Sequence, residues 1–496
     1  MKKIPHFTFF FLFTVLSINS HITAQTEVSL SDLKIDTLYR QINYYNLETA
    51  KKLKQYFDQL DSSKLVFFHF GGSHIQAEIP TSKARENFIQ TFSDGGRGMI
   101  FPYNVAKTYS SINYTTYHTG NWSFAKSFQT NPKIPLGVCG MAVNTSENNA
   151  SIQFNFKKPL LNQSYKLLLL LEVDSLTPEF SVKLDSATYF FSKQQLIQHK
   201  DENYLEIHYT GAINHLKITL SDSNRTNVHF QFYGIDVELN KPNGIVYHSL
   251  GVGAAPFRSV LNIAKLEEHA KILQPDVILL DFGTNDILYK NQIDTQLASQ
   301  VEETILKLRK INPDVLIVLT STQDLYYKKK LVTATIAFRD LMDSLAKKNH
   351  CLFWNWLDLS GGIETIKKWH QLGYAQKDLI HLTMNGYKVK GQLLYESFIK
   401  TLNYIKLHPN QDQYAVAMKS YDKLEVSSFE NKETDLKEPK ESVTQELNST
   451  PIYYTVKDGD TLSDIAEKNG ISLLKLKEMN HLKKNIIKKG QILKIN

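Results

Sequence analysis

The sequence predicts an α/β chain: a flavodoxin-like doubly wound parallel sheet, an all-β sandwich inserted into it, and a small βααβ module at the C-terminus. Three observations carry that expectation. From Gly244 onward, continuous apolar runs of strand length alternate with amphipathic helical stretches, as in a parallel sheet covered on both faces. Between about Tyr109 and Leu239 helical spacing gives way to short alternating runs. Beyond a polar, charged stretch, residues 452–496 are compact again.

The chain opens as a targeting segment. Lys2 and Lys3 precede a short apolar core, Phe7–Leu16, and Ile22-Thr23-Ala24 offers a cleavage site leaving Gln25 first. No cysteine stands near that site, which argues against a lipoprotein anchor, and no apolar run is long enough for a membrane span. The expectation is a signal peptide over 1–24 and an exported protein of the bacterial periplasm or cell surface. Leu47, Ala50, Leu53, Tyr56, Phe57 and Leu60 then keep helical spacing ahead of the first strand, Lys64–Phe70.

Gly71 and Gly72 break that strand and Ser73 follows at once, with a helix expected over Thr81–Phe92. A serine on a strand-to-helix turn presents its hydroxyl as a nucleophile. Ser93–Gly98 reads as a glycine-rich loop near the site, and it fits neither common phosphate-binding pattern. Ser151–Phe156, Phe180–Leu184, Tyr204–Tyr209 and Val228–Phe232 are the alternating strands of the insert, and Lys166–Val173 is a buried one.

In the second half, strands are expected at Ile245–Leu250, Asp276–Phe282, Asp314–Leu319 and Cys351–Trp356. Helices are expected at Phe257–Leu273, Asp294–Ile311 and Thr333–Lys348. The domain expectation is 25–108 and 241–408 for the sheet domain, 109–240 for the insert, 409–451 for a flexible linker and 452–496 for the last module.

Composition narrows the chemistry. Across 496 residues the net charge of +7 is mild, so nucleic acid is not an expected partner. The two cysteines, Cys139 and Cys351, sit beside apolar residues; buried free thiols are expected and a disulfide is the alternative. No His/Cys cluster has metal-ligand spacing, so neither metal nor organic cofactor is expected.

What remains is a constellation at the strand ends: Ser73, Gly251-Val252-Gly253, Gly283-Thr284-Asn285-Asp286, and Asp378 three residues before His381. Together these suit acyl transfer. Ser73 attacks a carbonyl, His381 takes its proton, and Asp378 orients the imidazole. The Ser73 and Gly253 backbone N–H groups and the Asn285 amide would face the oxyanion. His74, His248 and His370 read as structural, and Trp354 and Trp356 as packing residues.

This order of blocks resembles the SGNH, or GDSL-type, hydrolase superfamily, over roughly residues 60–105 and 244–403. The family usually carries Asp between the Gly and the nucleophilic Ser, where this chain has Gly72, which bears on the rigidity of the nucleophile turn. Tyr454–Ala466, Asn480 and Gly490–Ile495 resemble a LysM domain, a βααβ module that binds N-acetylglucosamine-containing glycans, chiefly peptidoglycan. The insert is similar to that of bacterial peptidoglycan O-acetylesterases. The resemblances imply an exported serine esterase that removes O-acetyl groups from N-acetylmuramic acid. Another acylated polysaccharide as substrate, or a wall-binding scaffold with a decayed site, are the alternatives. The sequence leaves the acyl group, the sugar position and the oligomeric state open.

Overall fold

The strand Lys64–Gly71 is paired in parallel on both sides, by Gly244–Gly251 and by Val277–Asp281. A computed structural model places it so, and describes residues 31–199, 202–221, 227–289 and 291–421. In the C-terminal module it describes 453–457, 460–462, 465–466, 469, 476–477, 479–482 and 487–495. The expected signal segment and residues 422–451 of the expected linker lie outside the described residues.

Leu316–Thr320 and then Leu352–Trp354 extend the parallel sheet beyond Val277–Asp281. The register sets Gly71 opposite both Gly251 and Asp281, so three chain segments leave the sheet at one level. Side chains of a strand alternate between faces, and the strand divides accordingly. Phe67 packs with Phe57, Phe88, Tyr247 and Phe398 on the side of the helices Leu47–Asp58, Ile79–Thr91 and Met384–Leu407. Phe68 and Phe70 belong to the other core, with Ala270 and Leu273 of the helix Leu266–Leu273, Leu308 of Leu297–Ile311 and Phe338 of Ala334–Lys348.

The glycine-rich stretch expected as a loop is a strand, Asp94–Ile100, wedged between Gly244–Gly251 and Phe230–Leu239. Glycine is needed there for close approach. At Gly96 (φ +136°) a Cβ would lie 2.4 Å from the Glu238 Cα, and at Gly98 (φ +75°) 2.8 Å from the Tyr247 carbonyl oxygen. Residues Asp94–Gly98 of this strand carry no apolar side chain, which is why the sequence reads as a loop.

Through that glycine strand the insert continues the parent sheet. Phe230–Leu239 pairs with Asp94–Ile100 and with the long strand Ser151–Leu171, which in turn pairs with Tyr204–Leu220. The sheet thus runs without interruption from Leu352–Trp354 to the outer hairpin Phe180–Leu184 and Ala187–Phe191.

Three other expectations shift. The stretch expected as one helix, Phe257–Leu273, is a 3-10 turn at Phe257–Val260 and a helix at Leu266–Leu273. The Cys351 strand stops at Trp354 because Asn355 caps a short helix, accepting a hydrogen bond from the Asp358 N–H. Residues 411–420, expected as linker, belong to the first unit: Tyr414 exchanges backbone hydrogen bonds with Tyr44 and stacks on Tyr404 at 3.8 Å between centroids. Trp354 and Trp356 are buried and stacked on each other, as packing residues. Cys139 and Cys351 are buried free thiols.

The chain divides into two compact units, Met1–Ser420 and Tyr421–Asn496. In the second, Tyr453–Thr455 pairs antiparallel with Ile492–Lys494 over a small core of Val456, Leu462, Ile465, Ala466, Leu476 and Leu493. Asn480 fastens it, donating to the Leu476 and Lys494 carbonyls and accepting from the Lys494 N–H. No helix among the described residues is long and apolar enough to cross a membrane.

Candidate active site

The turn into Ser73 follows from sterics. A Cβ at Gly71 would meet Ile75 Cγ1 at 2.5 Å and the Asp281 carbonyl oxygen at 2.7 Å, so only glycine lets the strand turn directly into the short helix Ser73–Gln76. Ser73 therefore stands at the carboxyl edge of the sheet, where open α/β sheets bind ligands.

Asp378 and His381 arrive on the loop before the helix Met384–Leu407. The Ser73 hydroxyl donates to His381 Nε2 at 2.9 Å, and His381 Nδ1–H donates to Asp378 Oδ2 at 2.7 Å. Asp378 Oδ1 accepts the backbone N–H groups of Ile380 and His381, both at 2.9 Å. Partial burial pushes the Asp378 carboxyl up, but the His381 hydrogen bond and these N–H groups outweigh it and hold it at about 2. A carboxylate at Nδ1 selects the tautomer whose Nε2 lone pair faces the serine.

The third strand end supplies Asn285. Gly283 (φ +116°) makes a turn that no Cβ could share with the Phe338 ring, 2.6 Å away. Asp286 then clamps it, accepting from the Phe257 N–H at 2.9 Å and the Gly283 N–H at 3.1 Å. Burial raises the Asp286 carboxyl to about 6 against the pull of those donors. Asn285 Nδ2 donates to the Ala255 carbonyl at 3.1 Å and lies 3.0 Å from where a Gly72 Cβ would be, beside the nucleophile.

Gly253 departs from expectation. Its N–H donates to Gln76 Oε1 instead of standing free. Gln76 is 1% exposed, and its amide donates to Thr108 Oγ1 at 2.7 Å and to the Tyr109 carbonyl at 3.0 Å. Nothing in the local sequence marks Gln76, Thr108 or Tyr109; their partners lie up to 177 positions away.

Beneath the site a buried polar floor also escapes sequence reading. The His74 ring lies 5.1 Å from that of His381, with Nδ1 on the Tyr387 hydroxyl at 2.8 Å and Nε2 on Thr284 Oγ1 at 3.1 Å. Burial first, then the charges of His381 and Lys390, keep His74 neutral. It packs against the His381 ring, and its hydrogen bonds go to Tyr387 and Thr284, not to Ser73. Deeper still, Asp281 pairs with Lys390 at 2.7 Å and with His69 Nε2 at 3.3 Å. His248 is fully buried and accepts from the Met99 N–H, and His370 Nδ1 donates to the Ala375 carbonyl, so both are structural. Among the described residues no cluster of His, Cys, Asp and Glu could hold a metal ion.

Residues 231–389 match the model of the GDSL-like lipase/acylhydrolase family, a span holding Gly253, Asn285, Asp378 and His381 but not Ser73. Residues 454–496 match the LysM domain. The solved structure of a peptidoglycan O-acetylesterase shares the fold, with a TM-score of 0.59 and 19% identity, covering 73% of this chain and 99% of its own. A family two carbohydrate esterase from Cellvibrio japonicus scores 0.25 at 9% identity, covering 59% of this chain and 99% of its own, too low a score to carry weight. No curated protein matches the chain.

Proposed function

We propose that this chain, which carries an SGNH/GDSL-type esterase domain and a C-terminal LysM domain, removes O-acetyl groups from the N-acetylmuramic acid of peptidoglycan. The observation that carries the reading is the hydrogen-bonded series Ser73–His381–Asp378 at the carboxyl edge of the sheet. Ser73 Oγ attacks the acetyl carbonyl as its proton passes to His381 Nε2, and the imidazolium is stabilised by the ionised Asp378. The carbonyl electron pair moves onto oxygen, facing the Ser73 N–H and the Asn285 amide. Collapse breaks the ester bond, and the departing sugar oxygen takes the proton from His381. Water, deprotonated by the same ring, then cleaves the acetyl-enzyme to acetate and restores the serine.

The LysM domain supports a wall substrate by holding the esterase near its glycan, which raises the local concentration of acetyl groups. The segment 1–24 supports export to the periplasm or cell surface, and the insert 109–240 supports a grip on the glycan.

The test is acetate release from O-acetylated peptidoglycan by the mature chain, with Ser73→Ala alongside. Release by the parent and none by the variant is expected. Release from acetylated xylan but not from peptidoglycan would move the substrate to another polysaccharide, and binding without release would leave a scaffold.

A further inference from the structure

Gln76 joins three parts of the site that the sequence keeps apart. It ends the nucleophile helix, its Oε1 accepts the Gly253 N–H, and its two amide hydrogens go to Thr108 Oγ1 and the Tyr109 carbonyl at the entrance to the insert. The partners themselves fix which way the amide points, since an N–H needs the oxygen and a carbonyl needs the nitrogen. All three polar groups of this buried side chain are thereby committed.

Gly253 N–H is the donor that the glycine block would offer to an oxyanion. In the structure it is already taken. Tyr109 is 70% exposed, and its ring comes beside the same glycine, Cδ2 lying 3.9 Å from the position of a Cβ there. The residue whose carbonyl tethers Gln76 thus also presents an open aromatic face beside the glycine block, and pyranose rings seat on such faces.

We infer that Gln76 is a positioning residue that competes with the oxyanion for the Gly253 N–H and yields it when a sugar ring seats against Tyr109. Seating shifts the Thr108–Tyr109 loop, the loop draws on the Gln76 amide, and Oε1 releases the N–H. A neutral acceptor is then exchanged for the negatively charged oxygen formed by attack of Ser73, where the hydrogen bond is stronger. The donor contributes only when charge develops, and only for an acyl group carried on a sugar. A small ester, with no ring to place on Tyr109, meets the latched form.

The inference rests on the serine-esterase reading, so the experiment separates the two. Turnover of 4-nitrophenyl acetate and of O-acetylated peptidoglycan is measured for the full chain and for Gln76→Ala, Thr108→Val and Ser73→Ala. Small-ester turnover that persists in Ser73→Ala refutes the serine reading whatever Gln76 does. With Ser73 established, Gln76→Ala is expected to raise kcat on 4-nitrophenyl acetate by about two- to tenfold, the factor corresponding to one neutral hydrogen bond. On peptidoglycan no such gain is expected, so the ratio of the two activities rises. Thr108→Val, which removes one tether and keeps the bulk, should move the ratio the same way by less, and it carries the test if Gln76→Ala does not fold. An equal fall on both substrates in both variants, or no change in the ratio, would overturn the proposal.

Discussion

Lys390 and Asp281 meet at 2.7 Å with side chains only 4% and 5% exposed, a buried ion pair beneath the candidate site. Lys390 projects from the helix that follows His381, and Asp281 ends the strand that precedes Asn285. The pair therefore joins the two loops that must meet at Ser73. Removing one partner leaves a buried charge, so Lys390→Met should cost about 3–5 kcal/mol in urea unfolding. Burial pushes the Asp281 carboxyl up, but Lys390 and His69 more than reverse this and hold it below the usual carboxylate range. The stability it contributes is present above the unfolded value near 3.9 and is lost as pH falls further. Without Lys390 burial is left to raise the Asp281 carboxyl, so the deficit of Lys390→Met should be largest at neutral pH and shrink as acid protonates that carboxyl, and adding Asp281→Asn should recover part of it.

Asp378→Ala should lower kcat on acetyl esters by about 10²–10⁴ while leaving KM nearly unchanged, because the carboxylate orients His381 without touching the substrate. Steady-state kinetics on the purified variant check this, and a change in KM alone would contradict it.

Gly71→Ala and Gly72→Ala should differ sharply. The first meets backbone and Ile75 well inside contact distance, the second only the Asn285 amide at 3.0 Å and the Ala255 carbonyl at 3.3 Å. Overpacking by about 1–3 kcal/mol with near-complete loss of esterase activity is expected for Gly71→Ala. For Gly72→Ala a smaller loss of both is expected, since the Asn285 side chain yields by a few tenths of an ångström. Thermal melts and acetate release rank the two.

His269 ties the insert to the sheet domain, its Nδ1 accepting the Val138 N–H at 3.1 Å and its ring meeting Tyr233 edge-on. Burial lowers its pKa to about 3. Because the fold keeps the ring neutral, protonation of the unfolded chain below about 6.5 works against the native state, progressively down to about 3. His269→Leu should be destabilised by about 1–3 kcal/mol at pH 7.5 through the orphaned N–H. That deficit should narrow as the pH is lowered through this window, measured as paired urea midpoints.

Much of this could be read beforehand where the signal is local. The run Leu65–Phe70 announces a buried strand, and Asp378 and His381 are picked out because they stand in order with Ser73, Gly251-Val252-Gly253 and Gly283–Asp286. Gln76 could not be read, because its meaning depends on Gly253 and Tyr109, which only the folded chain brings to it. The strand Asp94–Ile100 was hidden for a different reason: glycines chosen for close backbone approach look like a loop. The same contacts concealed that the insert shares a ladder with the sheet domain and ends at no boundary.

The central position of Lys64–Gly71 has a consequence for how the chain is made. This strand emerges early in synthesis, yet the first strand to cover either of its edges begins at Gly244. Until then its backbone donors and acceptors have no native ladder partner, a state prone to sticking and slow to resolve. Ser73 is thus translated long before His381 and Asp378, and the hydrogen-bonded series they form exists only when the second half of the chain arrives.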